Sequence, residues 1–189
     1  MAIRIFIDQG HNPTGSPNAG AFANGLREED INYQVGIDLA ALLSSDPRFE
    51  VRLSRPTPTT VVGTSNASSL RLRVEQANSW PANYFISIHC NSNPNPAVNG
   101  TEIYLYRYGT QAEWLAQHIM TGIIQAVGTN NNGIRVNPIL YVLRRTQMPA
   151  LLIELGYLTN TSDAQKLRDM QPQFAYGIYQ GILRYFGFA

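Results

Sequence analysis

The stretch at residues 84–91, YFISIHCN, constrains the fold more than any other. Residues 84–88 are apolar or small and β-forming, bounded upstream by Pro81 and Asn83. Such a run reads as a strand buried in the middle of a sheet. It leads into His89, followed by Cys90 and Asn91. Residues 3–8, IRIFID, repeat the pattern and lead into Gln9, Gly10 and His11, while residues 150–153 end in Glu154. Sites in open α/β sheets form outside the carboxyl ends of the strands. Two histidines and a glutamate at three strand ends therefore predict a convergent metal or catalytic site.

Helical periods separate these strands. Ile31, Val35, Leu39 and Leu42 share a face, as do Leu70, Val74 and Ala77 in a helix over 68–79 whose Arg71, Arg73 and Glu75 fall mostly off it. Residues 111–127 predict a helix through Trp114, Ile119, Ile123 and Val127. A short helix is expected over 161–170, and a last one over 173–185 packs Phe174, Ile178 and Ile182. Residues 49–53 and 101–106 read as further strands and 140–143 as a short one, with loops at 9–27, 54–67, 91–99 and 128–138. The alternation predicts an α/β fold, a single domain over 1–189 with a twisted, mostly parallel sheet flanked by helices. A chain of 189 residues can bury a sizeable core. Its net charge of +1 argues against nucleic acid as a partner. There is no run of about 18 apolar residues, so no membrane span is expected. Met1 leads almost directly into a strand, so no signal peptide is expected, and one cysteine excludes an internal disulfide framework.

Of the three histidines, His118 sits mid-helix and reads as a solvated or boundary residue. Zinc suits the other two, because catalytic zinc keeps three protein ligands and His₂Glu is an established set. Glu28 is the candidate third ligand, carried back over the strand ends by the glycine-rich loop, with Glu29 and Asp30 as competitors. All three acids also suit the start of a helix. No HExxH helix is present. Glu154 closes an apolar strand, where a carboxylate is costly unless it is paired or working. A salt bridge to Arg144 or Arg145 is the structural alternative. Strand alternation sends Cys90 to the face opposite His89, as a buried thiol. Asn91, Asn93, Tyr104 and Tyr106 offer a polar, aromatic surface for sugar or peptide, or plain strand and loop surface.

Six segments then carry a resemblance: IDQGHNP at 7–13, GLREEDIN at 25–32, RLRVEQAN at 71–78, YFISIHCN at 84–91, GTEIYLY at 100–106 and MPALLIELGYLTN at 148–160. In this order the chain resembles the type 3 zinc-dependent N-acetylmuramoyl-L-alanine amidases, which cleave bacterial peptidoglycan. The resemblance implies one zinc per chain held by His11, Glu28 and His89, Glu28 being the acid four residues before Asn32. It implies Glu154 as the catalytic glutamate, and a monomer that acts on peptidoglycan or muropeptides at the bacterial cell wall. Gln9, Asn12 and Cys90 stand where the family usually has proline, glycine and alanine; none replaces a ligand. The chain shows neither the wall-binding module nor the export signal that the family usually adds. That fits a trimmed catalytic domain, a phage lysin or a protein released by lysis. The rival activities are a zinc carboxypeptidase or deacetylase using the same ligands, and a non-catalytic wall-binding module.

Overall fold

The computed structural model describes residues 2–189. The chain runs β1 (Ile3–Gln9), β2 (Phe22–Ala23), β3 (Leu26–Arg27), α1 (Glu28–Ser44), β4 (Phe49–Leu53), α2 (Asn66–Ser79), β5 (Tyr84–Asn91), β6 (Thr101–Leu105), α3 (Gln111–Val127), β7 (Asn131–Val136), α4 (Tyr141–Arg145), β8 (Ala150–Tyr157), α5 (Thr161–Asp169) and α6 (Gln171–Tyr185). Six strands form one sheet in the order β4-β1-β5-β8-β6-β7. The first four are parallel, so the carboxyl ends of β1, β5 and β8 lie side by side. β6 runs antiparallel to β8, and β7 follows β6. This is the expected α/β fold, and no helix among the described residues is long and apolar enough to cross a membrane.

Both faces of the sheet are apolar because both are covered. Ile5, Ile7, Ile86, Ile88, Ile103 and Ile153 point to one face, where α1, α3, α5 and α6 pack. Phe6, Phe85 and Leu152 point to the other, under Val74 and Ala77 of α2 and Val142 and Leu143 of α4. α2 starts at Ser65, whose hydroxyl accepts from the Ser68 N–H in a capping box. α3 stops at Gly128, held left-handed with φ 70°. α3 and α6 meet backbone to backbone. A Cβ on Gly122 would sit 2.1 Å from the Gly177 carbonyl oxygen, and one on Gly181 would sit 2.4 Å from Ile119 Cα.

The structure departs from the sequence reading in several places. β8 runs on through Tyr157, paired with Asn91 of β5, so Glu154 stands inside the strand and not at its end. Residues 141–143 belong to a helix, α4, capped by Leu140, which turns Val142 and Leu143 down onto the sheet. The loop expected at 128–138 contains an edge strand, β7, and the loop at 9–27 contains the β2–β3 hairpin. Trp114 is 57% exposed, since the buried face of α3 runs through Leu115, Ala116, Ile119, Met120 and Ile123 instead. β7 pairs through a bulge: Asn132 and Gly133 (φ 90°) together oppose Glu102 of β6.

Candidate active site

His11, Glu28 and His89 come together at the carboxyl ends of β1 and β5. Each offers a donor atom, and the three atoms lie within 4.8 Å of one another. The chain leaves β1 at Gly10, whose N–H donates to the Ile88 carbonyl at 3.0 Å. His11 then adopts a left-handed φ of 68°, which turns its ring back over the strand ends. Glu28 arrives from the other side as the first residue of α1. The hairpin before it fixes its place: Glu28 N–H donates to Ala21 O, and Ala21 N–H donates to Glu28 Oε2, each at 3.0 Å. His89 Nδ1 lies 2.9 Å from Glu28 Oε1 and His11 Nε2 lies 3.2 Å from it.

The donor set calls for a cation. His11 Nδ1–H donates to the Asn18 carbonyl at 3.1 Å. In the neutral ring this leaves Nε2 as a lone pair aimed at a carboxylate oxygen. A positive charge must sit among these atoms, as a proton or a metal. Burial alone would lower the His11 pKa, but the Glu28 carboxylate outweighs it and pushes the value up. Burial would likewise raise Glu28, but the two imidazoles hold its carboxyl well below the usual range.

Two neighbours seat these groups. Gly10 leaves room for the His89 ring, since a Cβ there would stand 2.3 Å from both Cε1 and Nε2. Arg73, 1% exposed, ties down the strand end that carries His11. Its Nη1 donates to Asp8 Oδ1 and Gln9 O at 2.6 Å, and its Nη2 donates to His11 O at 2.6 Å and Asn12 Oδ1 at 3.1 Å. Ser87 donates to the other Asp8 oxygen at 2.8 Å. Burial would raise the Asp8 pKa, but Arg73 beside it holds the carboxyl below its ordinary range. The sequence reading set Arg73 mostly off the buried face and missed this role. Asp8, a carboxylate closing an apolar strand, was the signal that a buried cation must meet it.

Glu154 lies in register with His89 on one side and Glu102 on the other. Its Oε2 is shut away from solvent with no hydrogen-bond partner. Burial first, then the Glu28 and Glu102 charges, push its carboxyl well above the ordinary value. Among the described residues no ion pair links it to Arg144 or Arg145, which are exposed on α4. A cavity of about 120 Å³ opens beside the two histidines, walled by Leu70, Leu140, Val142 and Leu152.

The other candidates lie elsewhere. Glu29 is fully buried and occupied, accepting from Thr14 Oγ1 at 2.5 Å and Gly20 N–H at 3.2 Å. The Cys90 thiol points away from the cluster toward α1, 3.5 Å from Asn32 Oδ1, although its N–H donates to Glu28 Oε1 at 3.2 Å. His118 is exposed on α3. The reversed direction of β6 carries Tyr106 to the opposite end of the sheet, beside Pro149 and Ala150. Tyr104 stays nearer, donating its hydroxyl to Glu102 at 2.7 Å.

The N-acetylmuramoyl-L-alanine amidase family model matches residues 5–184. The chain is 34% identical to N-acetylmuramoyl-L-alanine amidase LytC of Bacillus subtilis (strain 168), over 96% of this chain but 35% of that protein. It is 36% identical to N-acetylmuramoyl-L-alanine amidase CwlM of Bacillus licheniformis, over 97% of this chain and 69% of that protein. Among solved structures it is similar to an N-acetylmuramoyl-L-alanine amidase from Clostridium difficile 630. The TM-score is 0.87 and the identity 34%, covering 98% of this chain and 97% of that one. Sequence and fold agree from the first strand to the last helix, and the chain belongs to the N-acetylmuramoyl-L-alanine amidases.

Proposed function

We propose that residues 1–189 form a zinc-dependent catalytic domain that hydrolyses the amide between the lactyl group of N-acetylmuramic acid and L-alanine in peptidoglycan. The observation that carries this reading is the pairing of a three-donor cluster with an unpartnered, buried carboxylate one strand away. His11, Glu28 and His89 would hold the metal, a His₂Glu set that leaves a position open. When bound, zinc supplies a Lewis acid for the amide carbonyl and lowers the pKa of water.

The remaining chemistry falls to this chain's own residues. Glu154 takes a proton from the attacking water and passes it to the nitrogen of the departing L-alanine. The water oxygen bonds to the lactyl carbonyl carbon, the carbon–nitrogen bond breaks, and the products are a lactyl carboxylate and a free amine. Glu154 must be ionised to begin. Its raised pKa opposes that, but a dication at the neighbouring site would draw the value back. Arg73 and Asp8 keep His11 aimed through the backbone, and Gly10 keeps room for His89. The apolar walls at Leu70, Leu140 and Leu152 exclude bulk water and suit the small groups flanking the amide. The place of action is the bacterial cell wall.

Purified sacculi, digested with and without chelator, test the reading. Mass spectrometry should find new L-alanine amino termini, lost on chelation and restored by zinc. Release of a terminal amino acid or of acetate would make the chain a carboxypeptidase or a deacetylase instead.

A further inference from the structure

The strands β5, β8, β6 and β7 carry a single lysine or arginine, Arg135. It is paired in register with Tyr104, which is paired with Leu152, so its side chain lies on the sheet face that carries Glu154 and His89. Its Nη2 lies 3.3 Å from Glu102 Oε1 and donates to Asn132 O at 3.3 Å, and its Nε donates to Asn132 O at 3.4 Å. Its Nη1 makes no hydrogen bond among the described residues, and the side chain is 52% exposed where that of Glu102 is 3% exposed.

Glu102 is fixed without help from the arginine. Tyr157 donates to Oε1 and Tyr104 to Oε2, each at 2.7 Å. The bulge in β7 lies opposite Glu102, and bulges next to sites commonly re-aim a side chain. The result is a guanidinium held through Nε and Nη2 by Asn132 and a rigid acid, with Nη1 unpaired on the sheet face that carries Glu154 and half of the side chain exposed. The unused Nη1 can still donate a charge-assisted hydrogen bond to a carboxylate oxygen.

We propose that Arg135 is a subsite for a free carboxylate of the stem peptide, that of the acidic residue after L-alanine. This rests on the amidase reading above. That residue continues the stem through its side-chain carboxyl, which leaves its α-carboxylate free or amidated. The Arg135 backbone stands two strands across and two residues along from Glu154, about 12 Å at the usual strand spacing and rise. Two extended residues cover about 7 Å of that distance, and the arginine side chain covers the rest.

Two synthetic muramoyl peptides that differ only at this carboxylate, free acid against α-amide, separate the possibilities. The wild-type protein should favour the acid about ten- to hundred-fold in kcat/KM, mainly through KM, as a charge-assisted pair would give. In Arg135→Ala the acid-to-amide ratio should collapse toward one, and Arg135→Lys should recover part of it. Equal cleavage of both peptides by the wild type would overturn the subsite. So would an Arg135→Ala protein with unchanged ratio, which would make Arg135 a structural partner of Glu102. Cleavage of neither peptide by a zinc-loaded wild type would remove the amidase reading, and the subsite with it.

Discussion

Glu154 and His89 face each other directly across the β5–β8 ladder. One reads as a metal ligand and the other as a base, and the two roles fail differently. Glu154→Gln keeps the shape and removes the basicity. Zinc content should stay full, while turnover on peptidoglycan falls about 10²- to 10⁴-fold, the usual range for a lost proton transfer. A Glu154→Gln protein that has lost its zinc would make this residue a ligand, and one with ordinary turnover would leave the mechanism without a base.

Glu28 and Glu29 are chain neighbours, both buried, with different work. Glu28→Ala should empty the proposed metal site, since only three protein atoms would hold the ion. Glu29→Ala should keep the metal and lose about 1–3 kcal/mol of stability, because the Gly20 N–H and the Thr14 hydroxyl lose their acceptor. Cys90→Ala should also keep it, at a cost of about 1 kcal/mol for a small core deletion. Metal analysis and thermal melts of the three variants read all of this. A metal-free Cys90→Ala or Glu29→Ala protein would undo the ligand set.

Gly10 is not in the left-handed region, so alanine fits its backbone. The added methyl would still press into the His89 ring at 2.3 Å. Gly10→Ala should weaken metal binding about 10- to 100-fold, as loss of a ligand's support does. Overpacking should also cost about 1–3 kcal/mol of stability. Chelator competition measures the first effect. An unchanged affinity would mean that the ring is free to move without cost.

The Asp8–Arg73 pair makes stability depend on acid. Asp8 has a folded pKa below its ordinary 3.8. The unfolded chain therefore takes up the proton first as pH falls. The contribution is complete above about pH 5 and is lost as pH drops through 3.8 toward the lower folded value. Asp8→Asn should remove this dependence and cost about 3–5 kcal/mol at neutral pH, since it leaves Arg73 buried without its charge partner. Urea unfolding at stepped pH gives the slope; stability that rises on acidification below pH 4 would have the wrong sign.

Long periodic segments and apolar strands ending in chemistry-bearing residues were legible from the residues alone. That is why β1, β5 and β8 could be named in advance along with His11, His89 and Glu154, although β5 and β8 run on past His89 and Glu154 to Asn91 and Tyr157. What stayed hidden depends on partners distant in sequence. The β7 sequence NNGIRV looks like a loop and becomes a strand because the edge of β6 needs pairing and Gly133 can absorb the bulge. Residues 140–143 have no period long enough to separate a strand from a helix, and packing over Phe85 and Leu152 decides it. Arg73 looks solvated until Asp8, 65 positions earlier, is brought to 2.6 Å. Glu102 drew no notice for the same reason: its two tyrosines and its arginine converge only when β6 reverses against β8.

The close seating of α6 on α3 also sets a time order on biosynthesis. Until α6 has emerged from the ribosome, the sheet face built on Ile5, Ile86 and Ile153 lacks one of its covering helices. The seam at Gly122, Gly177 and Gly181 tolerates no looser substitute, because the two backbones touch. His11, Glu28, His89 and Glu154 are all synthesised by then, but the covering layer over one face of their sheet is not complete. A nascent chain is therefore expected to leave part of that sheet face open to water until this helix has docked.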